Sequence, residues 1–257
     1  MNDSNLYAPF KIIVYGYHNA QLEAFAGIEA KEVNGASKSR WSYFSEYQNC
    51  WVLFIDKDCS LSEKTLELLK EKIIKFNKNT VFSGHYESSL KAPAYVIAYN
   101  LICNQWRNLG HKYEDPRLLG GCFLIFCSEK FSSEYFQSHF SNIPKWGAED
   151  FQFSRILQKL GHSIVPLNFL FVMHRPIFGV HKFFRRAFLH GFNRPVSSTS
   201  NRKSISDWFS SVKSVGLLPK LFIFLHLTTV GIGVIASKFR LRLPPPFQNN
   251  KPQEQKY

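Results

Sequence analysis

Short apolar runs alternate along the chain with segments in which apolar residues recur at helical spacing. The clearest run is WVLFI at residues 51–55. Its aromatic and β-branched residues predict a central parallel strand that is covered on both faces. Further strands are predicted at residues 11–17, 80–83 and 164–172, and another at 118–127, where Gly120 and Gly121 form a turn before the apolar part.

Helices are predicted between these strands. Ser60 and Glu63 form the S-x-x-E pattern of a helix start, and helical spacing of apolar residues continues to residue 76. Other helices are predicted at residues 21–30, 41–47, 95–105 and 145–160, the last of which stops at Gly161. The alternation of strands and helices predicts an open, mostly parallel α/β sheet flanked by helices.

The character of the chain changes after residue 173. The segment FFRRAFLHGFNR at residues 183–194 mixes aromatic and basic residues, and residues 221–236 contain no charge. We predict a sheet domain over residues 1–194 and a basic, apolar tail over residues 195–257. The tail is expected to contain a hydrophobic, membrane-associated helix over residues 217–237 and a disordered C-terminus.

Net charge separates the same two parts. The chain carries +13, with 18 Lys/Arg against 17 Asp/Glu over residues 1–174 and 14 against 2 over residues 175–257. A basic excess interleaved with long apolar runs favours anionic lipid over nucleic acid. The polar N-terminus shows no secretory signal, and the five cysteines, without C-x-x-C spacing, predict reduced thiols.

A bilayer span takes about 20 mainly apolar residues, so the hydrophobic helix is marginal for crossing. Spanning and in-plane docking stay open as equal alternatives, and a buried helix of a soluble protein is a third. Lys238, Arg240 and Arg242 follow the helix at once, as juxtamembrane cations do. We therefore expect attachment to the cytoplasmic face of a membrane, and no nucleic-acid partner.

The first candidate for chemistry is Asp56-Lys57-Asp58, directly after the predicted strand at 51–55. In open α/β sheets ligands collect beyond the C-terminal ends of the strands. Two carboxylates there can hold a hard divalent cation, which would neutralise a diphosphate leaving group. The alternative is a solvated turn, since D-x-D by itself is common.

Three further candidates follow along the chain. Glu149 and Asp150 stand at a helix start, where either could be a simple cap and the other a general base. The Gly120-Gly121 turn permits close approach of a ligand to the backbone, or is a plain tight turn. His174, at the end of the predicted strand 164–172, is either a structural histidine or an imidazole ligand of a metal.

The order of these motifs resembles the family 2 glycosyltransferases, whose fold is called GT-A. The resemblance covers residues 34–193, and its most telling segments are LLGGCFLIFCSEKF and WGAEDFQFSRILQKLGHSI. It implies an inverting transfer of a sugar from a nucleotide-diphosphate-sugar donor to a hydroxyl acceptor. For a membrane enzyme the acceptor would be a lipid-linked or cell-surface glycan.

The resemblance also implies roles for individual residues. Asp58 and His174 would bind Mn²⁺ or Mg²⁺ on the donor diphosphate, and Asp56 would contact the nucleotide ribose or the metal. Asp150 would be the catalytic base, and Glu149 would hold the acceptor. The remaining donor-binding positions are Arg40, Gly120 and Gly121.

The chain departs from the family near its N-terminus. Residues before Gly35 suffice for about one nucleotide-binding strand–helix unit, so the chain is N-terminally short in this comparison. Tyr17, His18 and Asn19 replace the acidic residue expected after the strand, and Trp41 replaces an Asn. Two alternatives therefore stay open: a degenerate GT-A domain that acts as a membrane-bound partner, and a nucleotidyltransferase.

Overall fold

A computed structural model of the chain describes residues 10–15, 29–33, 47–56, 58–112, 116–128, 131, 149–176, 178–192 and 215–239. The described strands form one sheet in the order β2-β1-β3-β6-β5-β7-β4. Their bounds are β1 (Phe10–Tyr15), β2 (Glu29–Val33), β3 (Cys50–Asp56), β4 (Cys59–Leu61), β5 (Thr80–Glu87), β6 (Cys122–Cys127) and β7 (Ser163–His174).

Five α-helices belong to the described part of the chain. They are α1 (Glu63–Lys72), which a short 3₁₀ turn (Ile73–Lys75) extends, α2 (Ala94–Lys112), α3 (Glu149–Lys159), α4 (Val180–Phe192) and α5 (Leu217–Lys238). The α/β class predicted from the sequence is confirmed, and so is a helix in the tail. Gly161, with φ of 84°, ends the turn after α3 as predicted.

The sheet is mostly parallel in strand direction, as predicted, because five of its seven described strands run one way and only β4 and β6 run the other. β1 runs parallel to β2 and β3, and β5 parallel to β7, but β6 lies antiparallel between β3 and β5. All six residues of β6 are buried. A strand that is covered on both faces shows the same continuous apolar run whichever way it runs, so the sequence pattern indicates burial and not strand direction.

Helices cover both faces of the central strands. Along β3, Val52 and Phe54 pack on one face in a cluster with residues of α3, whereas Leu53 and Ile55 pack on the other with residues of α1. Trp51 belongs to this second cluster, in edge contact with Phe126 of β6. A third cluster joins α2, α4 and α5. The packing of helices on both faces of the sheet fixes the positions of the strand ends.

Two local predictions were wrong. The cap of α1 is Ser62, whose hydroxyl accepts from the Thr65 N–H, while Ser60 belongs to β4. Glu29 and Ala30, predicted to end a helix, begin β2. This strand, EAKEV, is mostly charged and lies at the edge of the described sheet, where charges are tolerated and no apolar alternation marks a strand.

The domain division at residue 194 stays a prediction. So does the missing nucleotide-binding unit, although two parallel strands, β1 and β2, precede residue 34. The predicted helix at 41–47 lies outside the described residues apart from Tyr47, and the predicted disordered end lies beyond residue 239.

Candidate active site

The C-terminal ends of three strands meet at one edge of the sheet. β3, β5 and β7 run in one direction because β6 is antiparallel to β3 and β5, and β7 is parallel to β5. Asp56 ends β3, Glu87 ends β5 and His174 ends β7. The short β4 follows β3 directly and pairs with the end of β7, which brings the two strand ends together. This edge is where open α/β sheets bind ligands.

The Gly-Gly turn enters this edge just before β6. Four successive backbone N–H groups of residues 118–121 donate to side-chain oxygens. The acceptors, in chain order, are Ser154 Oγ at 3.0 Å, Ser83 Oγ at 2.9 Å, Asp150 Oδ2 at 3.2 Å and Tyr86 Oη at 3.0 Å. Side chains from β5 and α3 therefore hold the turn in one conformation.

Gly121 is needed because its backbone touches two functional groups. The Asp56 N–H donates to Gly121 O at 3.0 Å. A Cβ on Gly121 would lie 2.8 Å from Asp56 Oδ2 and would overlap Tyr86 Oη. Burial raises the pKa of Tyr86 well above its usual value, and Asp56 adds to the effect, so the phenol keeps its proton. Tyr86 was not predicted from the sequence because β5 runs four residues beyond the predicted strand.

His174 faces Asp58 across the pairing of β4 and β7. Its Nε2 lies 3.5 Å from Asp58 Oδ1, and its Nδ1 lies 2.5 Å from Asn100 Oδ1. The Asn100 amide nitrogen donates to His174 O at 3.0 Å and to Ser88 Oγ at 2.8 Å, which fixes its oxygen as the acceptor. Nδ1 therefore carries the proton, and Nε2 points at Asp58.

Nε2 and the Asp58 carboxylate face each other as two potential ligands of one cation. With Nδ1 protonated, a neutral imidazole would direct a lone pair at the lone pairs of Asp58. A metal ion bound by both groups would remove this repulsion. The carboxylate of Asp58, the thiol of Cys59 and the imidazole of His174 place their ligand atoms within 4.8 Å of one another. The donor set therefore fits a divalent metal.

Arg186 of α4 adds positive charge to this site. Its guanidinium lies 4.4 Å from the centre of the Phe178 ring and 3.3 Å from Tyr99 Oη. Burial by itself would raise the pKa of Asp58, but the hydrogen bond and charge of His174 outweigh it, and the charge of Arg186 also contributes, so the pKa lies below its usual value. The Asp58 carboxylate is thus ionised and available to a cation.

Asn100 and Arg186 were not predicted from the sequence, for different reasons. Asn100 and Asn104 lie one turn apart on the mostly apolar helix α2 and are both buried. Buried amides at that spacing could have identified a polar site. Arg186 stands in a basic, aromatic segment that the charge pattern assigned to lipid, and only the packing of α4 turns it toward Asp58.

The structure brings six of the predicted residues to one edge of the sheet. They are Asp56, Asp58, Gly120, Gly121, Asp150 and His174. Glu149 begins α3, but its side chain lies outside the described part, as do Arg40 and Lys57. The roles given to these residues stay predictions.

No protein-family model matches this chain, and no curated protein sequence matches it. Among solved structures it is similar to a mannosyltransferase from Pyrobaculum calidifontis in complex with GDP-Man and Mn²⁺. The identity is 12%, the TM-score 0.45, and the match covers 93% of this chain and 77% of that one.

A second similar structure is glucosyl-3-phosphoglycerate synthase from Mycobacterium tuberculosis in complex with Mn²⁺ and uridine-diphosphate-glucose. The identity is 12% and the TM-score 0.41, over 70% of this chain and 75% of that one. At such scores the likeness is one of general shape, so the function has to be argued from the site itself.

Proposed function

We propose that the chain is an inverting glycosyltransferase with a GT-A-type sheet. The observation that supports this is that a cation site, Asp58 with His174, and a separate carboxylate, Asp150, occur at one edge of the sheet, where Asp150 accepts from the Gly120 N–H and Asp56 donates its N–H to Gly121 O. A sugar transfer from a nucleoside diphosphate needs these two elements: positive charge at the leaving group and a base at the acceptor hydroxyl.

Each residue has one task in the proposed reaction. Asp58 and His174 would hold Mn²⁺ or Mg²⁺, which neutralises charge on the donor diphosphate. Asp150 accepts the proton of the acceptor hydroxyl as its oxygen bonds to the anomeric carbon. The bond from that carbon to the diphosphate breaks on the opposite face, and nucleoside diphosphate leaves. Arg186 would balance part of the departing charge.

The base assignment is tested by Asp150→Asn. An amide oxygen can still accept the Gly120 N–H, so the turn keeps its anchor, but the amide takes up no proton. We expect transfer to fall about a hundredfold or more while donor binding, measured by calorimetry, persists. Unchanged turnover in this variant would show that Asp150 is not the base.

The products separate the proposal from its alternatives. Incubation of purified protein with a panel of nucleotide-sugars and Mn²⁺ should release nucleoside diphosphate. Release of pyrophosphate would instead indicate a nucleotidyltransferase. A folded protein that releases nothing from any donor, with or without acceptors, would indicate a degenerate domain. Full activity in excess chelator would assign charge neutralisation to the arginine and lysine side chains, Lys57 and Arg175 among them.

We further propose that α5 docks in the plane of a membrane. By length and composition alone, α5 could cross a membrane. Its most apolar stretch has a mean hydropathy of 1.8, and 28% of that stretch is buried. However, one face of α5 packs against α2 and α4, where Phe222 touches Tyr95 and Phe183. The opposite face exposes Leu218, Leu221, Phe224, Leu225, Ile232 and Ile235. A helix packed on the sheet domain by one face suits an interface, and a lipid-linked acceptor would reach the site from there.

A further inference from the structure

The register of β4 on β7 places a cysteine beside the proposed cation. In this antiparallel pair Cys59 stands directly opposite His174. Directly opposed residues carry their side chains on the same face of a sheet, with Cβ atoms about 4.5–5.5 Å apart. Both are buried, with 0% of Cys59 and 4% of His174 exposed. The thiol is therefore aimed at the same space as the imidazole, out of contact with bulk water.

We propose that Cys59 is a third protein ligand of this cation, and that the site therefore selects thiophilic divalent ions over Mg²⁺. The inference rests on the proposed cation site at Asp58 and His174 and adds a residue to it. The three donors, within 4.8 Å of one another, offer one oxygen, one nitrogen and one sulfur. Bonds of about 2.0–2.3 Å to one ion need donors roughly 3–4.5 Å apart, so a small side-chain movement completes the set.

The donor chemistry determines the selectivity. Mg²⁺ takes oxygen ligands in near-ideal octahedral geometry and binds sulfur poorly. Imidazole and thiolate ligands bind Co²⁺ more tightly than Mn²⁺, and Zn²⁺ more tightly than Co²⁺. On binding, the S–H bond of Cys59 breaks, a sulfur–metal bond forms, and the proton passes to solvent. Neither oxidant nor reductant is needed.

Cobalt alone is the probe, because a thiolate ligand gives Co²⁺ a strong near-ultraviolet charge-transfer band. The full chain is titrated with Co²⁺ under reducing conditions, and then Mg²⁺ is added in competition. We expect the band in the wild type, its loss in Cys59→Ser, and a Co²⁺ affinity at least tenfold lower in that variant. Mg²⁺ at equal concentration should not displace Co²⁺.

Cys50→Ala is the matched control. Cys50 is as buried as Cys59 but packs on the opposite face of the sheet, so this variant should keep the band. Thermal melting shows whether each variant is folded, and Cys59→Ala offers a second truncation should serine destabilise the apolar cluster. A band that persists in folded Cys59→Ser or Cys59→Ala, or that never forms, would overturn the assignment.

The outcome is separable from that of the proposed function. If Co²⁺ binds without the band, and Asp58→Asn abolishes binding, the cation site stands and Cys59 is not a ligand. If Mg²⁺ competes equally and Cys59→Ser binds as well as wild type, the selectivity is refuted while the transferase proposal remains. Transfer by Asp150→Asn at the wild-type rate would refute the base and leave the metal ligands unaffected.

Discussion

At the scale of single residues, the candidate site depends on backbone groups held by side chains. The Gly-Gly turn gives all four of its N–H groups to side-chain oxygens, and one of these acceptors is the proposed base. One of the residues that position the turn, Asp150, is therefore also the residue that would take the proton in the proposed reaction. A substitution that moves the turn should disturb the base and the cation site together.

Gly121→Ala should be severely damaging. The added Cβ would overlap Tyr86 Oη and lie 2.8 Å from Asp56 Oδ2. We expect a loss of about 1–3 kcal/mol in the free energy of unfolding, from overpacking, and at least a tenfold fall in donor binding. The control is Gly179→Ala, since a Cβ there meets nothing within 4 Å. Urea unfolding and donor titration should separate the two variants, and equal behaviour would contradict the packing at Gly121.

His85 should make the stability depend on pH. Its ring nitrogens lie 3.1 Å from the Asn104 amide nitrogen and 3.1 Å from Arg107 Nη2. Burial, with the charge of Arg107, lowers its pKa to about 4. The unfolded chain, with a pKa of about 6.5, binds this proton first as the pH falls. Neutral His85 therefore contributes fully to the free energy of unfolding above pH 6.5, and this contribution is lost as the pH falls from 6.5 to 4.

The test compares wild type with His85→Gln in urea at several pH values. Because His85 is partly exposed, the full linkage energy is reduced by solvent screening, and we expect a differential loss of about 1–2 kcal/mol from pH 7 to pH 4. His85→Gln should lack that part of the slope. Curves that stay parallel throughout would show that His85 is protonated as easily in the folded protein as in the unfolded chain.

At the scale of elements, α4 and α5 pack as a close pair of helices. Gly191 of α4 approaches the Val230 carbonyl so closely that no Cβ would fit. Gly233 of α5 is in the same position against the backbone of Phe188 and Phe192. Small residues permit this approach of two backbones. The pair in turn holds Arg186 near Asp58, so helix packing and site electrostatics are linked.

Two glycines on the same helix test this packing. Gly233→Ala should destabilise the protein by about 1–3 kcal/mol because the new Cβ meets backbone that cannot move aside. Gly231→Ala, two residues earlier, meets nothing within 4 Å and should instead stabilise by about 0.5–1 kcal/mol through helix propensity. The measurement is urea unfolding of both variants. If both stabilise equally, α5 does not pack on α4 in solution.

At the scale of the whole molecule, charge and apolar surface are concentrated in the same third of the chain. Residues 175–257 carry 14 Lys/Arg against 2 Asp/Glu, and the outer face of α5 is apolar. Anionic lipid satisfies both features at once. The sheet edge with its site belongs to the same packed unit, since α2 contacts both the site and α5.

Membrane attachment should therefore depend on the outer face of α5. Phe224 and Ile235 are 55% and 56% exposed, so burying the exposed half of each in lipid contributes about 1 kcal/mol. The double variant Phe224→Glu/Ile235→Glu should bind anionic vesicles at least tenfold more weakly in co-sedimentation. Leu90→Glu is the control, because Leu90 is fully exposed and stands in the connection between β5 and α2, outside α5. Equal binding by all three proteins would contradict docking by this face.

A cut at Ser206 provides the complementary measurement. Loss of the segment after residue 206 should release the sheet domain from membrane fractions. In-plane docking also predicts that alkaline carbonate extracts the full chain, whereas a spanning helix would resist it. Protein that stays on membranes as tightly after the cut would show that α5 is not the anchor.

The sequence by itself determined the class of the fold and the positions of most chemical groups. Continuous apolar runs located β3, β6, β7 and α5, and helical spacing located α1 and α3, because burial on a regular element leaves a pattern of apolar residues in the sequence. The motif order placed Asp56, Asp58, Asp150 and His174 at element ends. It missed β2, whose charged edge strand carries no such period.

Only the tertiary structure decided which of these groups meet. Strand direction leaves no trace in a doubly covered run, so the antiparallel β6, and with it the Gly-Gly turn at the site edge, could not be read from the pattern. The partners of His174 are Asp58, which directly precedes β4, and Asn100 of α2, which is more than seventy residues away in the chain. Contacts between distant segments depend on how elements pack, and packing is a property of the assembled chain rather than of any local window.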